Sequence, residues 1–214
     1  FFITNHIISQ KDTTDLVRYS DDYVFNDGFY ISFDQVSSNK PLKPESIISE
    51  FDPNDFDFFD KVTQQNKIYF YDDFAVKKEI DSRKLWGYCR SGTLYINYNK
   101  YFNRIPMIGS ICHFVSDVTV LHERMPDPFF YNSYYSPINP TIETNELRQY
   151  VVDFETGKVI DYSWQNLETI FMRDVELFDE FNELKKGKKK KLLFLYVRKF
   201  NERNPLYLNK IVRI

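Results

Sequence analysis

The side chains best suited to chemistry in this chain are few and far apart. Three histidines (His6, His113, His122) and two cysteines (Cys89, Cys112) could act as ligands or nucleophiles. His122-Glu123 opens the pattern in which two histidines four residues apart hold zinc, but Pro126 stands where the second one belongs. His113 falls in an apolar stretch and reads as a hydrogen-bonded core or edge histidine, because no neighbouring spacing completes a tetrahedral site. The acidic run from Asp52 to Asp60 has the look of a calcium loop. It places Phe56 at a ligand position, Asp57 where the loop needs glycine and Thr63 where it needs a carboxylate. It reads instead as an acidic turn into a short segment that buries Phe58 or Phe59. Gly87 and Gly92 have the gap of a phosphate loop, but Thr93 replaces its lysine. Cys89-Arg90-Ser91-Gly92 lacks the leading glycine of a nucleophile elbow. No catalytic residue, metal site or cofactor is predicted from these spacings.

What remains is a hairpin. Leu85 to Arg90 and Thr93 to Tyr98 flank Ser91-Gly92, a two-residue loop suited to a primed turn. That turn opposes Cys89 to Leu94, Gly87 to Ile96 and Leu85 to Tyr98. Period-two alternation then puts those six on a core face and Trp86, Tyr88, Arg90, Thr93, Tyr95 and Asn97 on the other. Aromatic rings with polar tips and one fixed cation suit a flat polar ligand or a protein hot spot. Trp86, Tyr88, Arg90, Tyr95 and Asn97 are therefore the candidate ligand-binding residues. The alternative is that this face packs on a second sheet or a helix, with Trp86 mostly buried.

The elements that carry this hairpin are legible in composition. The chain of 214 residues has one alanine, Ala75, against 21 Phe and 16 Tyr, which favours sheet over helix. A chain of this length buries about 70% of its surface and needs no disulfide or metal staple. Hairpins are predicted around Asn26-Asp27-Gly28, Asp72-Asp73 and Glu155-Thr156-Gly157, with strands at Tyr101–Ile105, Ile108–Val115 and Leu147–Phe154. Pro126, Pro128, Pro137 and Pro140 make 123–145 a long irregular connection. Helical spacing begins at Ser163. Ser163 and Asp174 can cap two helices, and Leu193, Tyr196, Val197 and Phe200 mark a third. The expected fold is α+β, a predominantly antiparallel sheet with two or three helices in the C-terminal quarter. The expected organisation is one domain over 1–214, mainly β to residue 162 and helical over 163–204.

Charge is distributed unevenly. Residues 185–214 hold eleven Lys and Arg against Glu202, so the rest of the chain carries −13 within a net −3. Lys185-Lys186-Gly187-Lys188-Lys189-Lys190-Lys191 is expected to end the second helix near Leu184 and to form an exposed connection over 187–190. The run is read first as a solvated loop and second as a peripheral contact with an anionic membrane. Nucleic acid is disfavoured, because the body is acidic and no aromatics interleave the lysines. No apolar window spans a bilayer. Cys89 and Cys112 read as packed free thiols, with one disulfide as the alternative in an oxidising compartment.

Asp27-Gly28-Phe29-Tyr30, Asn39-Lys40-Pro41, Leu85-Trp86-Gly87-Tyr88-Cys89, Ile108-Gly109 and Phe200-Asn201-Glu202-Arg203-Asn204-Pro205 resemble a family of uncharacterised exported bacterial proteins. That resemblance implies a signal peptide, often with a lipid anchor, and a periplasmic or outer-surface location; it implies no activity. Opening on Phe1 rather than Met, the chain is expected to be a processed product. The expected function is non-catalytic: an exported binding or envelope-associated protein using its aromatic sheet face on a protein or small polar ligand. The rival expectation is a hydrolase or isomerase whose carboxylates converge from distant segments.

Overall fold

β-branched and aromatic residues run through the first 162 positions, and the chain answers with antiparallel strands. The computed structural model describes residues 16–123 and 141–209. A four-stranded sheet has the order β2-β6-β7-β8, formed by Gly28–Tyr30, Gly87–Arg90, Thr93–Tyr98 and Tyr101–Arg104. A three-stranded sheet joins β3 (Ile47–Ile48), β4 (Lys67–Tyr71) and β5 (Lys77–Asp81). A second three-stranded sheet pairs β9 (Ile111–Glu123) with β10 (Thr141–Asp153) and β10 with β11 (Lys158–Asp161). Near the two ends of the described chain, β1 (Leu16–Arg18) pairs with β12 (Tyr207–Asn209). Every ladder is antiparallel. The fold is α+β, and the three longer helices, α3 (Trp164–Phe171), α4 (Val175–Asn182) and α5 (Lys186–Arg203), lie in the C-terminal part.

Three apolar clusters stack these elements into layers. Cys89, Leu94 and Ile96 of the four-stranded sheet meet Cys112, Phe114, Tyr150 and Val152 of β9 and β10. On the opposite face of β9 and β10, Ile111 and Val151 take Leu167, Phe171, Phe181, Val197 and Phe200 from α3, α4 and α5. On the far side of the four-stranded sheet, Phe29 and Tyr88 meet Ile68 and Phe70 of β4 and Phe58, Phe59 and Val62 of the short helix α2 (Phe58–Thr63). Alternate residues of one strand therefore serve two cores, as period two requires of a sheet covered on both faces.

Several predicted elements stand where expected. Ser91 (φ 49°) and Gly92 (φ 72°) form the primed turn, and Cys89 opposes Leu94. Ser163 and Asp174 cap α3 and α4 through the N–H groups of Asn166 (3.3 Å) and Leu177 (3.1 Å). Asp52 accepts from the N–H of Asn54 (2.9 Å) in a turn leading to α2, where Phe58 and Phe59 are both buried.

Other expectations are corrected. Asn26-Asp27-Gly28 does not turn a hairpin. The Asp27 carboxylate instead accepts from the N–H groups of Ser91 (2.9 Å) and Gly92 (3.1 Å), closing the distant turn, and Gly28–Tyr30 pairs with β6. The chain after it bends into a short helix α1 (Phe33–Ser38). β9 and β10 run further than expected, because Thr141 follows the last proline and the ladder can form from there. Residues 124–140, the centre of the predicted irregular connection, lie outside the described residues, as do His6 and the side chain of His122. The largest correction concerns the lysine run: it is helical, and α5 begins at Lys186 rather than beyond residue 190. Lysine is a good helix former, and the apolar stripe of α5 extends a helix already nucleated against the sheet.

Candidate functional site

The five predicted ligand-binding residues all have partners inside the chain. Tyr88 is buried, stacked between Phe59 (centroids 5.1 Å apart) and Tyr95 (4.7 Å), and its hydroxyl donates to Asp60 (3.2 Å). Burial first, and then the Asp60 carboxylate, push its phenol well above the usual range. Arg90 donates to the Phe56 carbonyl (3.1 Å) and to Asp60 (3.1 Å), with its guanidinium over the Phe56 ring. The Asn97 amide donates to the carbonyls of Leu85 (3.0 Å) and Arg83 (3.1 Å). Trp86 does not share the face of Tyr88. It packs in the opposite core beside Phe33 (6.1 Å), while Leu85 joins Tyr88. Alternation stops at Gly87 because the strand does: before it the Trp86 N–H turns to the Tyr30 carbonyl (3.0 Å), and a Cβ on Gly87 would sit 1.9 Å from the Tyr95 carbonyl oxygen. The face brings Tyr88, Arg90 and Tyr95 together, and the layer of α2 and β4 covers it.

The segments that carried the family resemblance also have structural work. Asn39 accepts from the Asn26 N–H (2.8 Å) and the buried Tyr30 hydroxyl (2.9 Å). Asn201 pairs through both ends of its amide with the backbone of Ile111, accepting from its N–H (2.8 Å) and donating to its carbonyl (2.9 Å). Its amide lies where a Cβ on Gly109 would be, so those two segments fit only as a pair. Ser110 donates to the Asn204 carbonyl (2.6 Å).

A cleft of about 580 Å³ opens beside that junction, between α1, the turn before β11 and the segment after α5. Phe33, Phe154, Phe200 and Leu206 line it, and Arg173 reaches into it. Arg173 forks onto Asp153 (2.8 and 2.7 Å) and also pairs with Glu155 (2.9 Å). Burial opposes charge on Asp153, but the hydrogen bonds from Arg173 and Thr156 outweigh it and hold its carboxyl below the usual range. The cation and its acids are consumed by each other.

The N-terminal end of α5 is different. Its first turn holds no acid and its cap residue, Lys185, supplies no side-chain hydrogen bond. Lys189 turns inward, donating to Glu168 (2.7 Å) and Asn182 (2.6 Å) above the rings of Trp164 and Phe181. Lys185, Lys186, Lys188, Lys190 and Lys191 are exposed, and none has an ion pair among the described residues. One turn on, Phe194 is 45% and Leu195 48% exposed, with Arg198 beyond. Spacings of three and four residues set Lys186, Lys190 and Phe194 in one outward row and Lys188, Lys191, Leu195 and Arg198 in the row beside it. The sequence located the lysines but not their helix. The helix propensity of lysine, continuous with the stripe of Leu193, Tyr196, Val197 and Phe200, was the signal that could have found it.

His113 is buried, hydrogen-bonded to Gln149 (2.9 Å) and edge-on to Tyr162. Cys89 and Cys112 are free and buried; burial pushes both thiols up, Cys112 to about 12. Among the described residues no three metal-binding side chains converge. Comparison with protein-family models, curated proteins and solved structures finds no match.

Proposed function

We propose that this is a non-catalytic, envelope-associated binding protein, exported with removal of a signal peptide, that docks on an anionic partner through the N-terminal end of α5. One observation carries the reading. Lysines crowd the helix end where the backbone dipole is already positive, so like charges repel and the dipole opposes them, yet no acid lies in that turn. Within the run from Lys185 to Lys191, only Lys189 is offset among the described residues. A surface held at such a disadvantage to folding suits a partner of opposite charge.

Three carboxylates are tied into the fold and not poised as acids. Asp153, Asp174 and Glu180 are each held below the usual range by Arg or Lys partners, whereas a general acid at neutral pH needs the reverse. The experiment is elution from immobilised heparin in a salt gradient. Wild type should elute late, and Lys186, Lys188, Lys190 and Lys191 all changed to Gln should elute near the void. Identical elution of the two proteins overturns the proposal.

A further inference from the structure

We infer that the anionic partner is a lipid bilayer, which α5 meets in the plane of the headgroups with Phe194 and Leu195 entering the acyl boundary. This rests on the docking reading above and names its partner. The lysine patch is half of a composite surface. Lys190 and Phe194, and Lys191 and Leu195, stand four residues apart, so each ammonium is stacked one turn from an exposed apolar side chain. The apolar part continues off the helix. Phe194 lies against His113 (5.9 Å between rings), and Val115, two residues along the same face of β9, is 40% exposed. Gln149 pairs with Val115, and Leu147, next on that face of β10, is 74% exposed.

A nucleic acid or a purely charged protein face would satisfy the lysines and leave those four apolar side chains without a matching surface. A bilayer accepts both. Anionic headgroups draw the ammonium groups, long lysine stems let them stay in water, and the apolar side chains sink about 5–10 Å. No helix among the described residues is long and apolar enough to cross a membrane.

The test is co-sedimentation with vesicles of phosphatidylcholine, with and without phosphatidylserine, run beside the heparin column. Wild type should bind the serine-containing vesicles and not the others. Each Lys→Gln change should weaken binding roughly fivefold, an effect that shrinks in high salt. Phe194→Ser with Leu195→Ser should weaken vesicle binding on the order of tenfold at every salt, and leave heparin elution unchanged. Both side chains are half-exposed, and an unchanged thermal midpoint will show that the variant is folded. Equal vesicle binding by wild type and this double variant overturns the bilayer. Retention on heparin with no binding to anionic vesicles also overturns it, in favour of a nucleic acid or acidic protein, and leaves the docking reading standing. Failure on both supports overturns both proposals.

Discussion

The two ends of α5 carry the same kind of residue and treat it in opposite ways. At the C-terminal end, where the helix dipole is negative, Arg203 donates to Asp174 (2.6 and 2.8 Å) and Glu176 (2.7 Å), and Asn204 donates to Asp174 (3.1 Å). Asn201, one turn before, is bound to the start of β9. At the N-terminal end the dipole is positive, and five of six lysines face water. One end is arranged for stability. The other carries like-charge repulsion that nothing among the described residues offsets, unlike the cleft, where Arg173 is paired with Asp153 and Glu155.

The largest effect should follow from breaking the stable end. Asn201→Ala leaves the N–H and carbonyl of Ile111, a fully buried residue, without their partners. Each orphaned group costs about 1–3 kcal/mol, so a loss of about 3 kcal/mol is expected in denaturant unfolding. Asn201→Asp keeps the acceptor but sets a carboxylate against the Ile111 carbonyl, and should be at least as destabilising as Asn201→Ala at neutral pH. A loss under about 0.5 kcal/mol for Asn201→Ala would mean that water replaces the amide there.

Next comes the exception at the unstable end. Lys189→Ala removes the cation from Glu168 and Asn182 and should cost about 2 kcal/mol, less than a fully buried pair because Glu168 remains 23% exposed. Its neighbours Lys188 and Lys190 should tolerate alanine with no loss. Equal behaviour of all three would erase the distinction between the inward lysine and the outward ones.

A smaller effect separates charge from capping at Asp174. Its carboxyl is held at about 2, against 3.8 in the free side chain, chiefly by Arg203. A folded value below the unfolded one stabilises the protein fully above about pH 4 and loses that contribution as pH falls towards 2. Asp174→Asn keeps an acceptor for Leu177 and removes the charge. It should be less stable than wild type by at most about 1 kcal/mol at neutral pH, since Arg203 is 44% exposed and solvent screens the pair. The gap should close between pH 4 and 2, which thermal unfolding at several pH values will read. A gap independent of pH would assign the loss to the cap alone.

The same contrast explains what the sequence could and could not reveal. Local signals were legible: Ser91-Gly92 needs only its own positive φ angles, and Ser163 and Asp174 need only the N–H three residues on. The antiparallel α+β fold followed from such signals together with alternation. Roles assigned by distant partners were not legible. Asp27 closes a turn 64 residues away, Trp86 is turned by the carbonyl of Tyr30, and Lys189 is drawn in by Glu168 from another helix. The candidate aromatic face was placed correctly for Tyr88, Arg90 and Tyr95 relative to Cys89 and Leu94, but nothing local to it announces the layer of α2 and β4 that covers it.

The smallest expected effect is a gain. Lys186, Lys188, Lys190 and Lys191 add like charges to the positive end of a helix dipole, and no partner among the described residues offsets them. Changing all four to Gln keeps helix propensity nearly constant while removing the repulsion. Each change is worth a few tenths of a kcal/mol, so the quadruple variant should be about 1 kcal/mol more stable at low salt. That gain should shrink as ionic strength rises, because the Debye length falls from about 30 Å at 0.01 M to about 3 Å at 1 M and screens exposed charges from one another. Denaturant midpoints for both proteins at low and high salt will measure it. If the quadruple variant were instead destabilised at both salts, the lysines would be holding α5 in place, and the end now read as reserved for a partner would belong to the fold.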